Sequence, residues 1–108
     1  MTCEDTHRRL TWEIQVYEPS TRGWLPRCYG RATTTAPPDD LATTVLTAYL
    51  AITTTWPGQQ FRATVTAHGG SRPSIVTADQ LPAEPQAVRD DVLQALPLYL
   101  RDALKKPA

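Results

Sequence analysis

Leu41–Trp56 reads LATTVLTAYLAITTTW, and the fold of the whole chain turns on reading it as a helix. Leu41, Val45, Ala48, Tyr49, Ile52 and Trp56 recur at the i, i+4, i+7, i+8 spacing of a stripe that faces a core. Pro57 and Gly58 follow and stop the pattern. Ahead of it, Thr35 suits an N-cap, Pro37 and Pro38 are tolerated in a first turn, and Asp39 and Asp40 suit the positive end of the helix dipole. The interior Thr residues are poor helix formers, so this helix needs a surface to pack on.

Strands on both sides supply that surface. Upstream, Leu10, Trp12, Ile14 and Val16 alternate with Thr11, Glu13, Gln15 and Tyr17, the period of a half-buried strand. Glu18 to Gly23 is rich in turn formers. A second strand is expected from Trp24 to Ala32, with Trp24, Cys28 and Ala32 on its apolar face and Leu25, Arg27, Tyr29 and Arg31 opposite. Pro26 removes a ladder donor, so this strand is expected to lie at a sheet edge or to start after Pro26.

Downstream, Gln60 to His68 reads as a third strand, with Phe61, Ala63, Val65 and Ala67 turned inward. Gly69 to Pro73 is a turn, and Ser74 to Ala78 a short fourth strand. A last helix is expected over Gln86 to Lys105, striped by Val88, Val92, Ala95, Leu96, Tyr99 and Ala103 and kinked at Pro97.

The order ββαββα predicts an α+β fold: a two-layer sandwich in which a four-stranded, mainly antiparallel sheet carries two helices on one face. Residues 1–9 are expected to be a flexible tail, and 10–106 a single domain. The second face of the sheet, with Glu13, Gln15, Tyr17, Tyr29, Arg31, Arg62 and Thr64, is left open.

Composition narrows the classes of function. The 108 residues are 41% hydrophobic and 20% charged, enough for one domain with its own core. Eleven Lys and Arg balance eleven Asp and Glu. This neutrality argues against a protein whose main task is neutralising phosphates, and it removes the charge that keeps copies apart. The charged N-terminus does not resemble a signal peptide, and no apolar run is long enough to cross a bilayer, so the cytoplasm is expected. Asn is absent and Lys occurs only at 105 and 106, whereas Ala, Thr, Pro and Arg abound. Such usage suggests a high-GC bacterium or one of its mobile elements.

No catalytic constellation is spelled out. Cys3, His7, Cys28 and His68 match no compact zinc module, and no metal or cofactor is expected. His68 stands near Ser71 on a glycine turn, but no acid in sequence is placed to orient it, so a surface histidine is the better reading. The pairs Asp39–Asp40 and Asp90–Asp91 fall at helix starts, where the dipole already accounts for them. The expected function is therefore non-catalytic: an interaction protein that binds a protein partner or forms a homodimer. Leu46, Leu50, Leu93 and Leu100 lie off the two helical stripes. They either pack helix against helix, the favoured reading, or form an apolar seam for a partner. Trp24 and Tyr29 are the candidate aromatic anchors. The alternative is a nucleic-acid surface on the sheet, using Arg27, Tyr29, Arg31 and Arg62.

Overall fold

The computed structural model describes residues 8–68, 72–81 and 90–105. Strands β1 (Arg8–Glu18), β2 (Gly23–Thr34), β3 (Phe61–Ala67) and β4 (Ser74–Thr77) form one antiparallel sheet in the order β2-β1-β3-β4. The helical segments are α1 (Pro38–Ile52), α2 (Asp90–Ala95) and α3 (Leu98–Lys105). The predicted α+β class and ββαββα order hold, with the last helix divided in two. The flexible tail was expected over 1–9. Its first seven positions lie outside the described residues, and Arg8 and Arg9 already belong to β1.

All three helical segments cover the same side of the sheet. Leu10, Trp12 and Ile14 of β1 join Ala63 and Val65 of β3, Leu41, Val45 and Leu46 of α1, Val92 of α2, Leu100 of α3 and Leu96 between those two in one buried cluster. Alternation in β1 and β3 put these side chains on one face, as the period-two pattern requires. Trp12 is fully buried and lies flat on Gly30, opposite it in the ladder. A Cβ at position 30 would meet the indole Cζ2 at 2.6 Å, so only glycine fits beneath the ring. The cost of this packing is an indole Nε1–H that has no hydrogen-bond acceptor among the described residues.

Helix α1 starts two residues later than a Thr35 cap implied and stops earlier than the stripe implied. Its N-cap is Pro37, not Thr35, and Pro38 opens the first turn with Asp39 and Asp40. It ends at Ile52 because three β-branched Thr residues follow, and Trp56-Pro57-Gly58-Gln59 turns instead. The Gln59 N–H donates to the Trp56 carbonyl at 3.1 Å, and Gly58 sits at φ 87°, the pattern of a type II turn with Pro and Gly at its centre. Trp56, expected in the core stripe, is 66% exposed.

Pro97 breaks the last helix where a kink was expected. The residues after it take a new helical phase, so Leu100 is buried while Tyr99, expected in the stripe, is 48% exposed. Val88 and the expected start at Gln86 lie outside the described residues. The broken ladder leaves the last turn short of backbone donors, with the Leu93 carbonyl taking the Leu96 N–H at 3.2 Å, and Arg101 reaches back to it. Its Nε donates to the Leu93 carbonyl at 3.2 Å, and its Nη2 to those of Gln94 at 2.9 Å and Leu96 at 3.0 Å. One side chain thus caps α2 across the break.

Candidate functional site on the open sheet face

The site begins with an irregularity in β2. Its pairing with β1 runs in register from Arg8↔Thr34 to Ile14↔Cys28, then shifts, so that Gln15 faces Pro26 and Tyr17 faces Trp24. Arg27 is the extra residue of a β-bulge, which reverses which residues face the helices. Residues directly opposite in an antiparallel pair share a face. Cys28, Gly30 and Ala32 therefore lie on the helix side and Tyr29 and Arg31 on the open side. Beyond the bulge it is Trp24 that lies on the open side, with Leu25 beneath.

This corrects the expected apolar face. Trp24 does not join Cys28 and Ala32 over the core. Its ring meets Tyr17 edge-on at 5.3 Å between centroids, and the Arg62 guanidinium lies over it at 4.2 Å. Arg62 also donates through Nε to Gln15 Oε1 at 2.6 Å, and Gln15 Nε2 donates to Glu13 Oε1 at 2.6 Å. Partial burial lowers the Arg62 pKa, opposed by the nearby Glu13 carboxylate. The result is a braced row: Tyr17, Trp24, Arg62, Gln15, Glu13. Beside it, Tyr29 is 74% exposed.

Charge is segregated by layer. From Arg8 to Thr34 the chain holds five Arg against two Glu, while α1 carries Asp39 and Asp40 and no basic residue. Among the described strand residues, alternation turns Arg9, Arg31 and Arg62 outward on the open face against Glu13. Net neutrality conceals a basic face and a more acidic helical layer. At one end of the face, a cleft of about 670 Å³ is lined by Trp24, Gln59, Gln60, Phe61, Thr77 and Asp79.

The other sequence-derived candidates fall elsewhere. Leu46 and Leu100 are fully buried, while Leu50 packs partly buried against the core and Leu93 is half-buried. Helices α1 and α3 lie against each other, so the leucines serve that contact and leave no open seam through Leu46 and Leu100. Arg27 leaves the sheet-face group, because the bulge turns it toward the helices, where its Nε donates to the Tyr49 hydroxyl at 3.4 Å. Next to it, Cys28 is a free thiol whose pKa is raised by burial and partly restored by a hydrogen bond with Tyr99. A raised pKa makes it a poor nucleophile.

His68 and Asp79 do not meet. His68 donates its N–H to the Arg9 carbonyl at one end of β3, and Asp79 follows Thr77, which pairs with Arg62 near the other. Six residues of strand separate the two ends, roughly 20 Å. Cys3 and His7 lie outside the described residues. Among the described residues, no three His, Cys, Asp or Glu are grouped closely enough to hold a metal ion, and no helix is long and apolar enough to cross a membrane. Sequence reasoning missed the Arg62–Trp24 stack and the Arg101 cap, and only Pro26, as a bulge signal, pointed toward the first. Comparison with protein-family models, curated proteins and solved structures gives no match.

Proposed function

We propose that this chain is a small non-catalytic interaction protein that docks a partner protein on the open face of its sheet. The observation that carries this reading is the braced Tyr17–Trp24–Arg62–Gln15–Glu13 row. It presents aromatic and guanidinium groups in a fixed arrangement, with no second layer over it among the described residues. Trp, Tyr and Arg are the residues that anchor interfaces, and pre-ordered ones lose little side-chain entropy on binding. The basic excess of the face suits an acidic partner surface. The setting we propose is the cytoplasm of a high-GC bacterium or of a host to its mobile elements.

Affinity capture from the native host tests this reading with the wild type, a Trp24→Ala variant and a Leu98→Ala control on the helical layer. Binding that is lost only with Trp24→Ala supports the open face. A partner retained equally by all three rules it out.

The same basic face favours a second reading, a surface for single-stranded nucleic acid, with Tyr29 free to stack on a base and Arg31 and Arg62 near the backbone. Anisotropy titrations with single-stranded DNA and RNA separate the two. Salt-dependent binding that weakens in Arg31→Ala and Arg62→Ala supports nucleic acid, and absence of binding at low salt removes it.

A further inference from the structure

The edge of β2 is guarded along only one half. Tyr17 donates to the Gln60 carbonyl and His68 to that of Arg9, so the odd-numbered residues of β1 bond to β3 and the even-numbered ones to β2. On β2, therefore, Cys28, Gly30 and Ala32 spend their backbone groups on β1, while those of Tyr29 and Arg31 point off the edge of the sheet. Across the bulge it is Pro26 that faces outward, where its missing N–H costs no ladder bond. Pro26 and the bulge blunt the Trp24–Arg27 half against pairing. The Cys28–Ala32 half has no such device, and no described residue pairs with the outward groups of Tyr29 and Arg31.

We propose that a second copy of this chain occupies this half-edge, antiparallel, joining two sheets into one across a two-fold axis at Gly30. Side-chain chemistry selects that register. With Gly30 opposite Gly30, each Tyr29 sits beside Arg31 of the second copy on the open face. Ring and guanidinium then pair twice by symmetry, and each backbone pair exchanges both of its N–H···O bonds. Moving the axis one residue toward the C-terminus sets Arg31 against Arg31. Moving it one residue the other way sets Tyr29 against Tyr29 and draws the bulge at Arg27 into the ladder. The first alternative opposes like charges across the ribbon, and the second forms no Tyr–Arg pair on the open face. The high exposure of Tyr29 is what this register needs, and in the helical layer the exposed Tyr99 flanks the same stretch through its bond to Cys28. The joined sheet extends the open face across both copies, and the dimer does not depend on what that face binds.

Sedimentation velocity on the full chain tests the proposal through a charge clash and its repair. The wild type is expected to dimerise reversibly. Tyr29→Arg, which places arginine opposite Arg31 of the second copy, is expected to weaken the dimer about tenfold or more. The exchange variant Y29R/R31Y restores the Tyr–Arg pair and returns affinity to within about threefold of wild type. Both positions are exposed, so circular dichroism is expected to stay unchanged. A wild type that remains monomeric at the highest soluble concentration overturns the proposal. So does a dimer indifferent to Tyr29→Arg, and an exchange variant that stays as weak as the single variant overturns the register.

Discussion

The two faces of this one sheet are built from neighbouring residues by different physics. Toward the helices, Leu10, Trp12, Ile14, Ala63 and Val65 are sealed from water. One residue along, Glu13, Gln15, Tyr17 and Arg62 keep partial exposure and are held by hydrogen bonds and ring contacts. Burial is worth about 1.5–3 kcal/mol for a large apolar side chain, whereas an exposed cation–π contact is worth about 0.5–1 kcal/mol. The covered face therefore carries the stability. The open face can change its surface chemistry at little cost to the fold, which is what a binding surface requires.

The sharpest break of this contrast lies at Trp12 and Gly30. Trp12→Ala is expected to lower unfolding free energy by about 3–5 kcal/mol in urea titrations, because the ring and its contacts are lost together. Gly30→Ala is expected to cost about 1–3 kcal/mol, since the new methyl must displace the indole or the strand. Trp12→Phe should cost far less than Trp12→Ala, because it keeps an aromatic ring in the core while giving up an N–H that finds no acceptor among the described residues. A neutral Gly30→Ala would show that the ring does not rest on that strand.

Arg101 tests whether the helical layer depends on one cap. Arg101→Ala is expected to cost about 1–2 kcal/mol, because it withdraws charged donors from the carbonyls of Leu93, Gln94 and Leu96 at the end of α2. Arg101→Lys should recover only part of that, since an ammonium lacks the planar fork that spans separate acceptors. Equal stability of the Lys variant and the wild type would assign the effect to charge alone.

On the open face the expected changes are smaller. Trp24→Ala, Arg62→Ala and the double variant form a cycle whose coupling is expected at about 0.5–1 kcal/mol, with the singles costing little more. A coupling near zero would mean that the stack is not maintained in solution. A loss as large as that of Trp12→Ala would mean that the open face is structural.

What could be read from the sequence divides along the same line. Strict alternation in Leu10–Tyr17 and Phe61–Ala67 located the covered face, because burial leaves a period that needs no knowledge of partners. The open face was harder. Pro26 announced an irregular edge, but which residue bulges is fixed by pairing with β1, which local pattern does not contain. That single extra residue moved Trp24 to the open face and Arg27 to the helices. The same limit applies to Leu46 and Leu100: lying between the sheet and another helix widens the buried arc beyond one stripe. Trp56 and Tyr99 were misassigned because a periodic count was carried through stop signals, three Thr before a turn and a proline inside a helix.

The smallest expected effect separates two adjacent residues, Cys28 facing the helices and Tyr29 facing outward. Burial raises the Cys28 thiol above its ordinary value. The folded chain therefore holds that proton more tightly than the unfolded chain does. The associated stability is complete below the ordinary thiol pKa and declines as pH climbs from there through the raised folded value. Tyr99, raised chiefly by burial, adds a decline of the same sign further into alkali. In a Cys3→Ser background, the urea midpoint should fall on moving from neutral to alkaline pH, and Cys28→Ala should flatten the first part of that fall. Alkylation of Cys28 should be slower in the folded chain than in urea. It should slow further in Tyr99→Phe, because the phenol hydrogen bond favours the thiolate and its loss lets burial push the thiol higher. Faster alkylation in Tyr99→Phe would mean that Tyr99 acts as a cover over the thiol and not as its hydrogen-bond partner, and the rim of the covered face would then be open to solvent whenever that ring moves.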